Sequence, residues 1–310
     1  MRHEVRTVGV LGGGLIGMSW ASLFLARGCA VVVVDPRAEA EAALAAFVAE
    51  AWPFLRALDL AQDEHPRRAA FATDIAALAG ADFVQECGPD RIEAKRAMIA
   101  DLEEVIAPDV VIASSTSSLL ASDMQAGARH PARILVAHPM NPPHLVPMVE
   151  LVAGRATDPA TLDAAEAFYG TMRRVTIRVQ REMVGHLANR LTSALYREAV
   201  NIVAEGIASV GDVDKAIAYG PGMRWALMGP HLTYHLGGGP GGYRHYLDHL
   251  GPTQEARWKT LGNPELTEAL KDALVAGMEE ALADADSASL AARRDEALVE
   301  LARLKDKFGL

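Results

Sequence analysis

A histidine and a glutamate on neighbouring apolar segments are the residues of this chain best suited to proton chemistry. His138 closes the run 134–138, and Glu150 sits between Val149 and Leu151, twelve positions later. An imidazole that accepts a proton near neutral pH needs a partner that fixes its tautomer and stabilises its cation. A buried carboxylate does both. His138 is therefore a candidate general base and Glu150 its orienting acid. Ser117 and Asn189 offer neutral groups able to hold a reacting oxygen. A lone histidine at a strand end is also a common structural residue, so spacing alone leaves these roles open.

A second constellation lies near the N-terminus. The apolar run 7–11 leads into Gly12-Gly13-Gly14-Leu15-Ile16-Gly17, the pattern G-x-G-x-x-G, with helical spacing behind it. Gly12 permits a tight turn, Gly14 lets the backbone approach a pyrophosphate, and Gly17 lets the helix pack on the strand. The amides about Leu15 and Ile16 open the helix toward phosphates. The next β-branched run, 30–34, ends at Asp35, 23 residues after Gly12. A carboxylate there accepts from the ribose hydroxyls of NAD and repels the 2′-phosphate of NADP. A helix N-cap before Pro36 is the plain alternative. The order strand, glycines, helix, strand, acid favours the dinucleotide. Arg37 is the feature that blurs NAD against NADP.

The elements that must position these groups alternate. Apolar runs at 7–11, 30–34, 69–72, 83–86, 110–114 and 134–138 read as strands, and 15–26 and 38–60 as helices. Residues 146–152 and 174–179 read as the last strands. Buried strands alternating with helices imply a parallel sheet covered on both faces, a Rossmann-like α/β domain over residues 1–180. Beyond 180 the strand pattern stops. Residues 184–208, 212–219 (behind a Gly-Asp cap), 264–285 and 287–308 carry helical spacing, with a Gly/Pro-rich break at 237–242. Residues 181–310 therefore read as an all-helical domain for substrate binding and dimerisation.

The whole composition bounds the partners. A formal net charge of −10 argues against nucleic acid and anionic membranes, and the basic cluster Arg173, Arg174, Arg178 and Arg181 reads as solvated surface. The uncharged stretch 8–26 holds five glycines, which suits a strand–turn–helix better than a membrane span. Two cysteines without a C-x-x-C spacing exclude a disulfide framework. Met1-Arg2-His3-Glu4 does not resemble a secretory leader. Together these point to the cytoplasm. His231 and His235, and His245 and His249, are spaced four apart. Neither pair has a third ligand at metal spacing, so no metal is expected.

Six segments together carry a resemblance. They are 12–17, Val84-Gln85-Glu86, Ser114-Ser115-Thr116-Ser117-Ser118, His138-Pro139-Met140-Asn141-Pro142, Val149-Glu150, and Gly185-His186-Leu187-Ala188-Asn189-Arg190. The chain resembles the 3-hydroxyacyl-CoA dehydrogenase family over its length. The resemblance implies an NAD-dependent dehydrogenase and a homodimer. It puts the catalytic histidine and glutamate on His138 and Glu150, and the oxygen-binding groups on Ser117 and Asn189. It implies a pair near the nicotinamide ribose at Asp90 and Lys95, where the family's Glu is shortened to Asp. Ser115 falls on a cofactor position where many members have Asn, and Asn141 falls at the substrate.

Within the family the chain is similar to the branches acting on free acids, the L-carnitine and L-gulonate 3-dehydrogenases. The segment 219–230 carries that likeness through Arg224 and Trp225, which thioester-using members lack. A guanidinium pairs bidentately with a carboxylate, which a free acid has and a thioester lacks. Trp225, Tyr234 and Tyr196 are candidates for an aromatic cage around a quaternary ammonium. The expected substrate is a small free L-3-hydroxy acid. The competing readings are a 3-hydroxyacyl-CoA dehydrogenase acting on substrates such as 3-hydroxybutyryl-CoA, and a non-catalytic NAD-binding structural protein.

Overall fold

The computed structural model describes residues 5–283 and 285–310. The four N-terminal residues, and Asp284 within the expected helix 264–285, lie outside the described residues. Two compact units divide the chain, Met1–Arg190 and Leu191–Leu310.

In the first unit the β-branched runs become strands β1 (Thr7–Leu11), β2 (Ala30–Val34), β3 (Ala70–Ala72), β4 (Phe83–Glu86), β5 (Val111–Ser114), β6 (Ile134–Pro139), β7 (Met148–Ala153) and β8 (Val175–Val179). They form one sheet in the order β3-β2-β1-β4-β5-β6-β7-β8. Helices α1 (Leu15–Ala26), α2 (Ala40–Ala57), α3 (Ile92–Val105), α4 (Ala121–Met124) and α5 (Pro159–Thr171) accompany it. Successive strand residues face opposite sides, and two cores result. Val31, Val33, Leu135 and Ala137 pack with Trp20, Phe24, Trp52 and Phe168. Val34, Ile134 and Val136 pack with Ile99, Leu102 and Met124. Both faces are thus buried, as continuous apolar strands require.

Strand β1 pairs with β2 on one side and β4 on the other, both parallel. The chain reverses direction across the sheet there, which opens a crevice at the C-terminal ends of β1 and β4 where such folds take ligands. Two strands depart from the expected parallel pattern: β7 runs antiparallel to β6, and β8 pairs parallel with β7. Residues 140–147 alone join β6 and β7, fewer than the dozen or so that a parallel crossover takes.

The second unit is helical. Helix α6 (Ala188–Ala204) starts at the end of the first unit and continues into it, followed by α7 (Val210–Ala218), α8 (Pro221–Trp225), α9 (Pro230–Gly237), α10 (Gly242–Trp258), α11 (Glu268–Leu282) and α12 (Ser287–Phe308). The cap of α7 is Ser209, whose hydroxyl accepts the Asp212 N–H, in place of the expected Gly-Asp. The Gly/Pro break shrinks to the turn Gly239–Gly241 between α9 and α10. Among the described residues no helix is long and apolar enough to cross a membrane.

Candidate active site

The reversal of β7 makes His138 and Glu150 direct cross-strand partners. Their side chains meet in the interior, His138 Nδ1 donating to Glu150 Oε2 at 2.7 Å. Glu150 is fully buried and His138 nearly so. The second oxygen, Oε1, accepts the N–H groups of Leu187 and Ala188, each at 2.8 Å, where α6 begins. Burial alone pushes the Glu150 carboxyl up. The hydrogen bonds from His138, Ala188 and Leu187 outweigh it and hold the group below the usual carboxylate range. The result is a fixed anion behind Nδ1, with Nε2 left to exchange a proton.

The other expected residues gather around this pair. Asp90 accepts from the Thr116 hydroxyl, and from Ser117 through its N–H at 3.1 Å and Oγ at 2.9 Å. Burial raises the Asp90 carboxyl, and these hydrogen bonds bring it below its ordinary value. Asn189 Nδ2 donates to the Ser117 carbonyl at 3.0 Å. Lys95 does not bond to Asp90. Its Nζ lies 2.8 Å from Glu86 and 2.9 Å from the Gly88 carbonyl, in a fully buried ion pair that Ser114 Oγ completes at 2.6 Å. The nearer acid takes the lysine because β4 delivers Glu86 into the same buried crevice, while the 114–118 turn claims Asp90. Asn141 is exposed in the loop after β6, where its peptide bond to Pro142 is cis.

A residue given no role from the sequence, His186, sits in the middle. It is fully buried, adopts φ +49°, and its ring centroid lies 5.2 Å from that of His138. Its Nε2–H donates to the Thr116 carbonyl at 3.1 Å, while Nδ1 has no partner among the described residues. Burial pulls this imidazole below the usual histidine range. The family resemblance marks the segment 185–190, but only the fold brings this histidine to His138.

The cofactor crevice fits NAD by its shape. Gly12 has φ +107°, and a Cβ there would lie 2.8 Å from the Cys87 backbone. A Cβ on Gly17 would stand 1.9 Å from the Gly12 carbonyl oxygen, whereas one on Gly14 would meet nothing within 4 Å. Backbone therefore closes on two glycines and leaves space at the third. Helix α1 starts at Leu15 with Gly14 as a cap that lacks a side chain, so the amides from Leu15 and Ile16 onward are left for an anion. Asp35 ends the crevice, its Oδ2 accepting the Gly13 N–H at 2.8 Å. Ser115 Oγ accepts from Gln85 Nε2 at 2.9 Å and Trp20 Nε1 at 3.2 Å.

Profile matches agree with this architecture. The 3-hydroxyacyl-CoA dehydrogenase NAD-binding domain matches residues 7–183 and the C-terminal domain of that family matches residues 185–281. The chain belongs to the 3-hydroxyacyl-CoA dehydrogenase family. It is 45% identical over 302 residues to the L-carnitine dehydrogenase of Nocardiopsis dassonvillei, covering 97% of this chain and 92% of that one. It is 43% identical over 297 residues to the L-carnitine dehydrogenase of Pseudomonas aeruginosa, covering 96% and 92%. In three dimensions it resembles 5-formyl-3-hydroxy-2-methylpyridine 4-carboxylic acid 5-dehydrogenase, an NAD+-dependent dismutase. That match has a TM-score of 0.84 at 25% identity, covering 98% and 99% of the two chains. The protein is an NAD-dependent oxidoreductase that acts on a CH–OH group.

In the second unit, Arg224 and Trp225 are exposed on α8. Arg224 forms no ion pair among the described residues. The expected cage does not form there. Tyr234 stacks on Tyr246 at 4.4 Å and 9°, which covers its ring face, and Tyr196 lines an apolar groove with Val200, Val210 and Leu274. No ring contact joins Trp225, Tyr234 and Tyr196 among the described residues. His231 bonds the Tyr243 hydroxyl at 2.8 Å, and His245 stacks on His249.

Proposed function

We propose that this dehydrogenase oxidises the 3-hydroxyl of a small free L-3-hydroxy acid to the 3-keto acid, with L-carnitine the first candidate. The observation that carries the reading is the buried His138–Glu150 pair, with both carboxylate oxygens committed and one imidazole nitrogen left to react. In this reading His138 Nε2 takes the hydroxyl proton, and Glu150 stabilises the resulting imidazolium. NAD, when bound, accepts the hydride from the carbinol carbon. Ser117 and Asn189 are tied together through the Ser117 carbonyl and hold the substrate oxygen as its charge changes. Gly12, Gly14 and Gly17 seat the pyrophosphate, and Asp35 the adenine ribose. Asp90 and Ser115 line the nicotinamide end, with Lys95 buried behind them against Glu86, and Asn141 lies at the substrate. The relatives named for L-carnitine support the substrate class, and so does the unpaired Arg224 guanidinium, which we assign to the substrate carboxylate beside Trp225.

The test is a panel of L-carnitine, L-gulonate, 3-hydroxybutyrate and 3-hydroxybutyryl-CoA, read by NADH absorbance with wild type and Arg224→Ala. Turnover of a free acid is expected. The variant should raise KM for that acid tenfold or more, because a lost bidentate charge pair costs at least about 1.4 kcal/mol. It should leave any thioester activity unchanged. A thioester preference in the wild type, or an unmoved KM for the acid, would overturn the reading.

The same reading includes a homodimer formed through the second unit. Among the described residues, Val200, Val210, Tyr246 and Val299 are the apolar side chains buried there. Leu191, Ile207, Leu232, Leu236 and Val275 stand exposed instead. A second copy would cover such faces.

A further inference from the structure

The acid that recognises the adenine ribose is already saturated by its own chain. A carboxylate offers about four lone-pair positions, two per oxygen. On Asp35, Oδ1 accepts from the Arg37 N–H at 3.0 Å and from Arg37 Nε at 2.9 Å. Oδ2 accepts from the Gly13 N–H at 2.8 Å and from Arg37 Nη2 at 3.0 Å. Two of the four donors are backbone and cannot leave without unmaking the turn. The other two belong to one guanidinium on a side chain that is 58% exposed. The ribose of NAD brings two hydroxyls that seek acceptors on this same carboxylate. They can be accommodated if the guanidinium leaves, since its departure frees one position on each oxygen.

The displaced cation remains on a short tether. Arg37 stands two residues after Asp35, and its backbone N–H stays bonded to Oδ1. The guanidinium therefore stays beside the ribose, where the 2′-phosphate of NADP would place its charge. An acid alone would repel that phosphate, whereas an acid with a mobile arginine can pair with it. We propose that Arg37 is a displaceable latch that sets cofactor selectivity: it competes with NAD for Asp35, and, once displaced, it supplies the cation that lets NADP bind. The wild type prefers NAD, with a narrower margin than Asp35 alone would impose.

A fixed brace between β2 and α2 would behave differently. Losing a brace would disturb the acid for both cofactors alike and leave their ratio unchanged. The experiment is calorimetric titration of the apoenzyme with NAD+ and NADP+, for wild type, Arg37→Ala and Arg37→Gln. Binding heat needs no substrate, so this test stands apart from that of the substrate reading. An exposed ion pair is a weak competitor, so Arg37→Ala should bind NAD+ about two- to fivefold more tightly. Its NADP+ affinity should fall, raising the ratio of the two dissociation constants at least threefold. Arg37→Gln keeps the stem and loses the charge, and should follow Arg37→Ala. A ratio that moves less than threefold in both variants, a weaker NAD+ affinity in both, or no detectable NADP+ binding in the wild type would overturn the proposal.

Discussion

On the proposed assignment Glu150 is the residue on which the chemistry turns, because its charge is fixed by the fold before any substrate arrives. Its depressed carboxyl range means that it remains an anion wherever the enzyme works. Glu150→Gln keeps the shape and removes the charge. An amide supports an imidazolium on His138 less well, so the variant should lose kcat by about tenfold or more while NAD affinity stays intact. An unchanged kcat would remove Glu150 from the reaction. His138→Ala should lower kcat by about 10²–10⁴-fold and leave NAD affinity intact, checked by turnover beside a binding titration. The neighbourhood of these two residues was legible because each lies in a strand-like run with only a short loop between them. His186 and the Glu86–Lys95 pair were not. Their partners lie 70 and 9 positions away, and no local pattern records which carbonyl or acid a buried side chain will reach.

At the scale of elements, the glycine turn is tightly constrained backbone. Gly17 is the third residue of α1, and a side chain there would collide with the Gly12 carbonyl rather than with a movable group. Gly17→Ala must push α1 off β1. It should cost about 1–3 kcal/mol of stability and weaken NAD binding in parallel, measured by denaturant unfolding and cofactor titration. A variant with wild-type stability and affinity would mean that the turn relaxes freely. The strands and α1 were readable because burial on both faces leaves long β-branched runs with sharp ends. The direction of β7 was not readable from its own residues. Alternation and burial look the same in parallel and antiparallel strands, and only the shortness of residues 140–147 decides the pairing. Helices α8 to α10 were not assigned from the sequence, where 237–242 read as a Gly/Pro-rich break; α8 and α9 each open on a proline, which suits a first helical turn.

For the whole molecule the contrast between the two units is decisive. The first carries two buried cores, while the second, helical throughout, buries few of its apolar side chains. A helical unit with so little interior gains its cover by association, so the protein should be a homodimer at micromolar concentration by light scattering. Charged substitutions at the exposed leucines 232 and 236 on α9 should lower the melting temperature or precipitate the protein if they fall in the interface. A wild type that runs as a stable monomer at that concentration would refute the assembly. Composition and helical spacing announced an all-helical second half. They could not say what covers its apolar faces, because an amphipathic helix has the same sequence whether its cover comes from its own chain or from another.

The closed surroundings of Glu150 also set an order in time. One carboxylate oxygen is held by His138 and the other by two backbone amides, and Glu150 itself is fully buried. On the proposed assignment, a proton that enters the imidazole through Nε2 has no rear exit. It must leave by the face through which it came, and that face is blocked until the keto acid departs. The two products of one oxidation therefore reach the outside world separately: the reduced cofactor registers at once as absorbance, and the acid appears in the medium only with product release. In the reverse direction the order inverts, and the enzyme must collect its proton before the keto acid seals the site.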